Sequence, residues 1–218
     1  MAGLNPRPPG VMVADPGIVA GFYGKLPARG DFVRFALPGA FVDSWDTWLQ
    51  RVIVGSRAQM GENWLPAYLE APVWRFALPP ACCGASSVLG LMLPSVDRAG
   101  RYFPLTFAAL APIGPDIARQ PRATEWLDRC EAAGRTALAD DVTPDQLGAM
   151  LDLPTWPPGA TTLSQSLWWT DGAPRVPPAS FTQEGMPDPA TFAHMLDAQQ
   201  AGPSATNTGA RVAWEQPS

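Results

Sequence analysis

The chain has 218 residues, enough for one large domain with a buried core or for a domain with an appendage. Its apolar fraction of 46% is that of a folded globular protein, while 15 basic against 20 acidic side chains leave a net charge of -5 and no basic footprint for a nucleic-acid backbone. The longest apolar runs, such as Val88 to Leu93 and Phe107 to Ala111, fall far short of the roughly 20 residues that a bilayer-spanning helix needs.

The first residues, "MAGLNPRPPGVMVADPG", are interrupted by prolines and lack the apolar core of a secretory signal. Three cysteines, with Cys82 and Cys83 adjacent, make no disulfide framework, which predicts a reducing, cytoplasmic compartment. Residues 1–16, rich in Pro and Gly, and residues 201–218, mostly polar, are expected to be flexible tails around a single domain spanning 17–200.

In chain order, a strand is expected at 18–23, followed by an irregular connection, "KLPARGDF", punctuated by Pro27 and Gly30. A helix follows "LPG", because Phe41, Trp45, Trp48, Leu49 and Val52 fall on one apolar stripe while Asp43, Asp46, Gln50 and Arg51 lie mostly on the other side. Three strands are expected at 72–78, 87–93 and 102–111, and the short connections between them imply antiparallel neighbours. A helix at 124–139 carries Trp126, Leu127, Cys130 and Ala137 on one face, weakened by Gly134. The next helix starts at Thr143, where Pro144 takes the first helical position and Gln146 completes a capping box. A strand at 164–171 and a helix opened by Asp188-Pro189 close the domain, whose class is α+β with an antiparallel sheet of about five strands flanked by helices.

Two polar stretches carry any chemistry. Lys25, the chain's only lysine, stands between glycines in "GFYGKLPARGDF", but a phosphate-binding loop would need glycine at Val19 and a hydroxyl at Leu26. Gly21 and Gly24 are better read as sites of tight reversal or close packing at a strand end. The second stretch, "PSVDRAGRYFPLT", joins two expected strands and places Asp97, Arg98 and Arg101 beside Gly100. It admits three readings: a hairpin tip whose charges are solvated or paired with Lys25, Arg29 or Asp31; a partner-binding surface; or a catalytic site. Arginines with one carboxylate bind an anion but supply neither a nucleophile nor a well-matched base.

Other chemistry fails on spacing. His194 is the sole histidine, "GASSV" departs from the G-x-S-x-G pattern at Val88, and Cys82, Cys83, Cys130 and His194 show no zinc-ligand spacing. No catalytic residue, metal ligand or cofactor is expected. Trp45, Trp48, Trp74 and Trp126 belong to buried faces, whereas Trp168 and Trp169, adjacent on a strand, must point to opposite faces.

Read together, "GFYGKLPARGDFVRFALP" and "LMLPSVDRAGRYFPLT", with the later "SLWW" and "GMP…F", resemble the TagF (ImpM) family of type VI secretion accessory proteins over about residues 18–197. The signature positions that match are Gly21, Gly24, Lys25, Leu26, Pro27, Gly30, Asp31 and Phe32, then Pro94, Ser95, Asp97, Arg98, Gly100, Arg101, Phe103 and Pro104. Phe35 departs from the polar or basic residue expected after Arg34.

The resemblance implies a longin- or profilin-like fold with a family core at about 18–135 and an extension to about 200. It further implies a cytoplasmic, non-catalytic regulator that represses secretion after translation by binding the forkhead-associated (FHA) scaffold. Some relatives are fused to the phosphatase of the same pathway, which suggests work beside the kinase and phosphatase arm. On this reading Lys25, Arg29, Asp31, Asp97, Arg98 and Arg101 bind the partner or brace the motif. Gly21, Gly24, Pro27, Gly30, Pro94, Gly100, Phe103, Pro104, Trp168 and Trp169 shape it. The alternative is an anion- or phosphopeptide-binding sensor, or an enzyme, using Lys25, Arg98 and Arg101.

Overall fold

The structure, a computed structural model, describes residues 17–111, 121–152 and 163–200, so both expected tails lie outside the described residues. Seven strands form one antiparallel sheet: β1 (Val19–Gly24), β2 (Val33–Phe35), β3 (Trp74–Leu78), β4 (Ser87–Leu93), β5 (Leu105–Ala111), β6 (Ser166–Thr170) and β7 (Ala179–Gln183). Their order is β2-β1-β5-β4-β3-β6-β7. The α+β class matches the expectation, and the sheet exceeds the expected five strands by its two edges. β2 has three residues, too few to show a period, and β7 alternates around a single large apolar residue, Phe181.

Five helices and a short 3₁₀ turn (Gly61–Asn63) complete the described fold: α1 (Gly39–Met60), α2 (Trp64–Leu69), α3 (Pro121–Ala139), α4 (Pro144–Ala149) and α5 (Pro189–Leu196). The helices divide between the two faces of the sheet because the strands carry apolar residues on both. In β4, Val88 and Met92 enter one core while Leu89, Leu91 and Leu93 enter the other. The sequence therefore reads as a continuous apolar run. Among the described residues no helix is long and apolar enough to cross a membrane.

On the first face α1, α2 and α5 pack over an aromatic core in which Trp45, Phe76 and Trp168 are fully buried. Burial of a side chain the size of Phe76 contributes about 1.5–3 kcal/mol. The indole N–H groups of Trp45, Trp48 and Trp74 donate to Thr106 Oγ1, the Pro187 carbonyl and the Met195 carbonyl at 2.9, 2.7 and 2.9 Å. These bonds satisfy the three indoles, whereas Trp168 Nε1 is buried with no hydrogen-bond partner among the described residues. Trp168 and Trp169 divide as expected: Trp168 enters this core, and Trp169 packs partly buried against the other.

On the second face α3 lays Trp126, Leu127, Cys130 and Ala137 against β4 and β5. Gly134, unfavourable on propensity, is what lets α3 come this close, since a Cβ there would stand 2.9 Å from the Phe107 ring. The capping box of α4 is formed: Thr143 Oγ1 accepts from Gln146 N at 3.2 Å while Gln146 Oε1 accepts from Thr143 N at 2.8 Å. Asp188 likewise caps α5 by accepting from Thr191 N at 2.7 Å.

Candidate functional site

Sheet register brings the two polar stretches together. β1 runs antiparallel to β5 with Tyr23 opposite Thr106, and β4 runs antiparallel to β5 with Leu93 opposite Leu105. The chain leaving β1 and the hairpin joining β4 to β5 therefore emerge at the same end of the sheet. Gly24 makes the join: its φ of 147° lies outside the range of other residues, and a Cβ would stand 2.2 Å from the Pro104 carbonyl oxygen. At Gly21 a Cβ would meet the Phe35 carbonyl oxygen at 2.0 Å, so that glycine permits β2 to approach β1.

Lys25 and Asp97 are the centre of the junction. Lys25 Nζ donates to Asp97 Oδ2 at 2.6 Å, with 5% and 0% of the two side chains exposed. Oδ2 also accepts from Arg101 Nε at 2.7 Å, and Oδ1 accepts from the backbone N–H groups of Ala99 and Arg101 at 2.9 Å each. Four donors fill the acceptor sites of this carboxylate. Burial alone would raise its pKa, but Lys25, the Arg101 backbone and guanidinium, and the Ala99 N–H outweigh that and hold it well below the usual carboxylate range.

Backbone bonds weld the loops further. Ser95 Oγ donates to the Lys25 carbonyl at 2.6 Å, Arg98 N donates to the Arg29 carbonyl at 3.0 Å, and Arg101 Nη2 donates to the Gly30 carbonyl. From below, Tyr68 OH donates to the Ser95 carbonyl at 2.9 Å and accepts from Ser95 N at 3.2 Å. Burial pushes the phenol pKa up by disfavouring the charged form, against the lowering effect of the Ser95 backbone bond. Gly100, at φ 79°, turns the hairpin, and Val96 pairs with Tyr102 across it.

The expected site residues thus separate into two groups. Lys25 and Asp97 are buried and brace the junction, with Phe103 and Pro104 buried beside it. Asp31, Arg98 and Arg101 are exposed, and Arg29 is half-buried with its guanidinium 3.4 Å from Asp141. Arg98 makes no side-chain hydrogen bond or ion pair among the described residues, whereas Arg101 is tied into the junction. Pro27, Gly30 and Pro94 lie in the two loops; Trp168 and Trp169 sit on β6, away from both, and belong to the sheet. Phe35 stacks on Phe22 at 5.5 Å and packs against Gly148, so the family departure at that position serves the contact with α4.

One residue of the site was not singled out as a contact group by sequence reasoning. Phe32 is 44% exposed, yet its ring stacks on Tyr23 at 5.4 Å, meets the edge of Phe103 at 4.8 Å and lies 4.2 Å from Lys25 Nζ. Tyr23 is anchored in turn by donating to Asp46 Oδ1 at 2.7 Å. The signal in sequence was an aromatic directly after Asp31, but exposure of a single loop residue leaves no periodicity to read.

The zinc-type grouping does not form. Cys83 lies in the core under α1 and α5, and Cys130 lies in the core on the other face of the sheet. His194 Nδ1 is 3.1 Å from the Gln200 carbonyl.

The family model described as TagF N-terminal domain, type VI secretion system-associated, matches residues 21–153, a span that begins within β1, runs through α4 and contains both loops. The crystal structure of PA0076 from Pseudomonas aeruginosa PAO1 superposes with a TM-score of 0.75 at 30% sequence identity, covering 88% of this chain and 100% of that one. No curated protein matches the chain.

Proposed function

Because this chain belongs to the TagF family, associated with the type VI secretion system, we propose that it is a cytoplasmic, non-catalytic regulator that represses secretion after translation by binding the FHA-domain scaffold of that system. The docking face is the surface built by the two welded loops. It works beside the kinase and phosphatase arm of the same pathway.

The observation that supports this reading is the division of labour within the motif. The Lys25–Asp97 pair is buried and saturated, while Arg98, Arg101 and Asp31 face outward from a junction that holds their backbones still. A carboxylate with every acceptor site filled and a buried lysine already paired with it are poor reagents but good braces. The alternative, an anion or phosphopeptide sensor using Lys25, Arg98 and Arg101, loses its lysine to Asp97.

The test is a pull-down of the purified protein against the FHA scaffold from its own gene cluster, comparing wild type with Arg98→Glu. Arg98 is the right position because its side chain holds no part of the junction together, so reversal changes the face without changing the brace. Capture by the wild type that Arg98→Glu abolishes at unchanged melting temperature is the expected result. Failure of the folded wild type to capture the scaffold overturns it.

A further inference from the structure

We infer that Cys82, Cys83 and Met186 form a three-sulfur site for a soft monovalent cation, copper(I). The site lies at the end of the sheet opposite the two-loop junction, because β4 runs from Ser87, beside this hairpin, to Leu93, beside the other. It is independent of the docking reading.

Two loops supply the three sulfurs. Cys82 and Cys83 stand in the hairpin joining β3 to β4, and Met186 stands in the loop between β7 and α5, 103 residues beyond Cys83. The Cys83 thiol is buried and donates to Met186 Sδ at 4.0 Å. Cys82 and Met186, both half-buried, pack against the core that contains Cys83, so the three residues share one apolar corner with Cys82 toward its open side. Spacing along the chain gives no sign of such a group, since its third member arrives only through the fold.

Both loops are held by bonds that do not involve the sulfurs. Ala81 N donates to the Gly84 carbonyl at 2.7 Å and Cys82 N to the Pro79 carbonyl at 3.4 Å, which closes the hairpin around the two cysteines. On either side of Met186, the Gly185 carbonyl accepts from Ser166 Oγ at 2.6 Å and the Pro187 carbonyl accepts from the Trp48 indole at 2.7 Å. Ligands carried on fixed backbone need little rearrangement to close on an ion.

Donor type and separation choose the ion. Two sulfurs each about 2.3 Å from a shared ion stand about 4.0 Å apart when its coordination is trigonal, and Cys83 and Met186 have that separation. Thiolates joined by a thioether are the soft donors that suit copper(I), whereas structural zinc takes four ligands in a tetrahedron. Among the described residues no three His, Cys, Asp or Glu side chains are grouped to hold a metal ion. Burial pushes Cys83 up to about 12 and raises Cys82 as well, so both thiols carry protons at neutral pH. Copper(I) entry forms two bonds to thiolate and one to the thioether, and both S–H protons pass to solvent. The bound group carries one net negative charge, and no electron is transferred.

The experiment is an anaerobic titration of the reduced full-length protein with copper(I) held by the coloured chelator bicinchoninate. The wild type is expected to withdraw one copper(I) ion per chain with release of two protons, and the copper X-ray absorption spectrum is expected to show three sulfur neighbours at about 2.3 Å. Cys82→Ser should weaken binding by about 100-fold or more and Met186→Leu by about tenfold. Cys130→Ala should bind as the wild type does, because that thiol lies in the core on the other face of the sheet. Melting curves establish that each variant is folded, and half-exposed Cys82 decides the outcome should Met186→Leu prove unstable.

Failure to compete with bicinchoninate, nitrogen or oxygen neighbours in the spectrum, or affinity indifferent to Cys82→Ser or to a folded Met186→Leu overturns the inference. So does equal loss of binding in Cys130→Ala, which would make the uptake a general property of the thiols. Retention of zinc(II) as tight as that of copper(I) overturns the choice of a soft ion.

Discussion

Lys25 and Asp97, 72 residues apart in the chain, meet at 2.6 Å in the interior and join the loop after β1 to the hairpin between β4 and β5. A buried ion pair gains little over a well-packed apolar pair, but breaking it by removing one partner leaves a charge without solvent or counter-ion. Lys25→Met should lower the melting temperature by roughly 5 to 10 °C. Asp97→Asn should be at least as damaging, because it strands the ammonium. The double variant Lys25→Met/Asp97→Asn should melt above Asp97→Asn alone. Strict additivity of the two changes in a thermal double-mutant cycle would show that the residues are not coupled.

Three signature glycines should differ sharply when changed to alanine. Gly24→Ala forces a Cβ to within 2.2 Å of a backbone oxygen at φ 147°, and should cost about 3 kcal/mol or more. Gly100, at φ 79° but with open space around it, should cost about 1–2 kcal/mol from backbone strain alone. Gly30 has neither constraint, so Gly30→Ala should be within about 0.5 kcal/mol of wild type. Denaturant titration of the three proteins ranks them, and any other order contradicts the packing described.

Acid should reach the junction through Asp97. Its folded pKa lies below the unfolded value of about 3.9. Between those two values the unfolded chain takes up a proton that the folded chain refuses, so lowering the pH favours unfolding. The stability contributed by this group is present above about pH 5 and drains away as pH falls below about 4 toward the folded value. The stability gap between wild type and Asp97→Asn should narrow over that window in urea melts. A gap that stays constant down to pH 2 would mean that Asp97 contributes nothing through its charge.

Thiol chemistry should follow burial. Cys83 is pushed up to about 12 by desolvation and by its neighbour Cys82, and burial raises the thiols of Cys82 and Cys130 as well. At pH 8 the native protein should therefore react slowly with iodoacetamide, with half-exposed Cys82 modified first and all three alkylated promptly once urea unfolds the chain. Peptide mass spectrometry reads the order. Rapid native labelling of Cys83 would contradict its place in the core.

Local signals in the sequence were enough to determine local structure. The apolar run Ser87–Leu93 is β4, the Trp45–Trp48–Val52 stripe is the buried side of α1, and the Thr143 and Asp188 caps start their helices because each signal needs only residues within a turn or two. The edge strands escaped that reading. β2 is a strand because Gly21 lets Phe35 pair against Phe22, and β7 because Ser166–Thr170 offers it a partner. α2 carries Pro66 in its first turn, where proline is tolerated.

That the two polar stretches belong together came from family resemblance, and their chemistry had to wait for the fold. In "VDRAGR" the charges follow no period that separates inward from outward. Asp97 turns in because Lys25, Arg101 and two backbone N–H groups converge on it, and Arg98 turns out because its backbone is held to Arg29. The sequence by itself determined the central strands, most of the helices and the residue types available to the site. Only the tertiary structure decided which charge is buried and which is presented, because that choice depends on a partner brought in from 72 residues away by the pairing of β1 with β5.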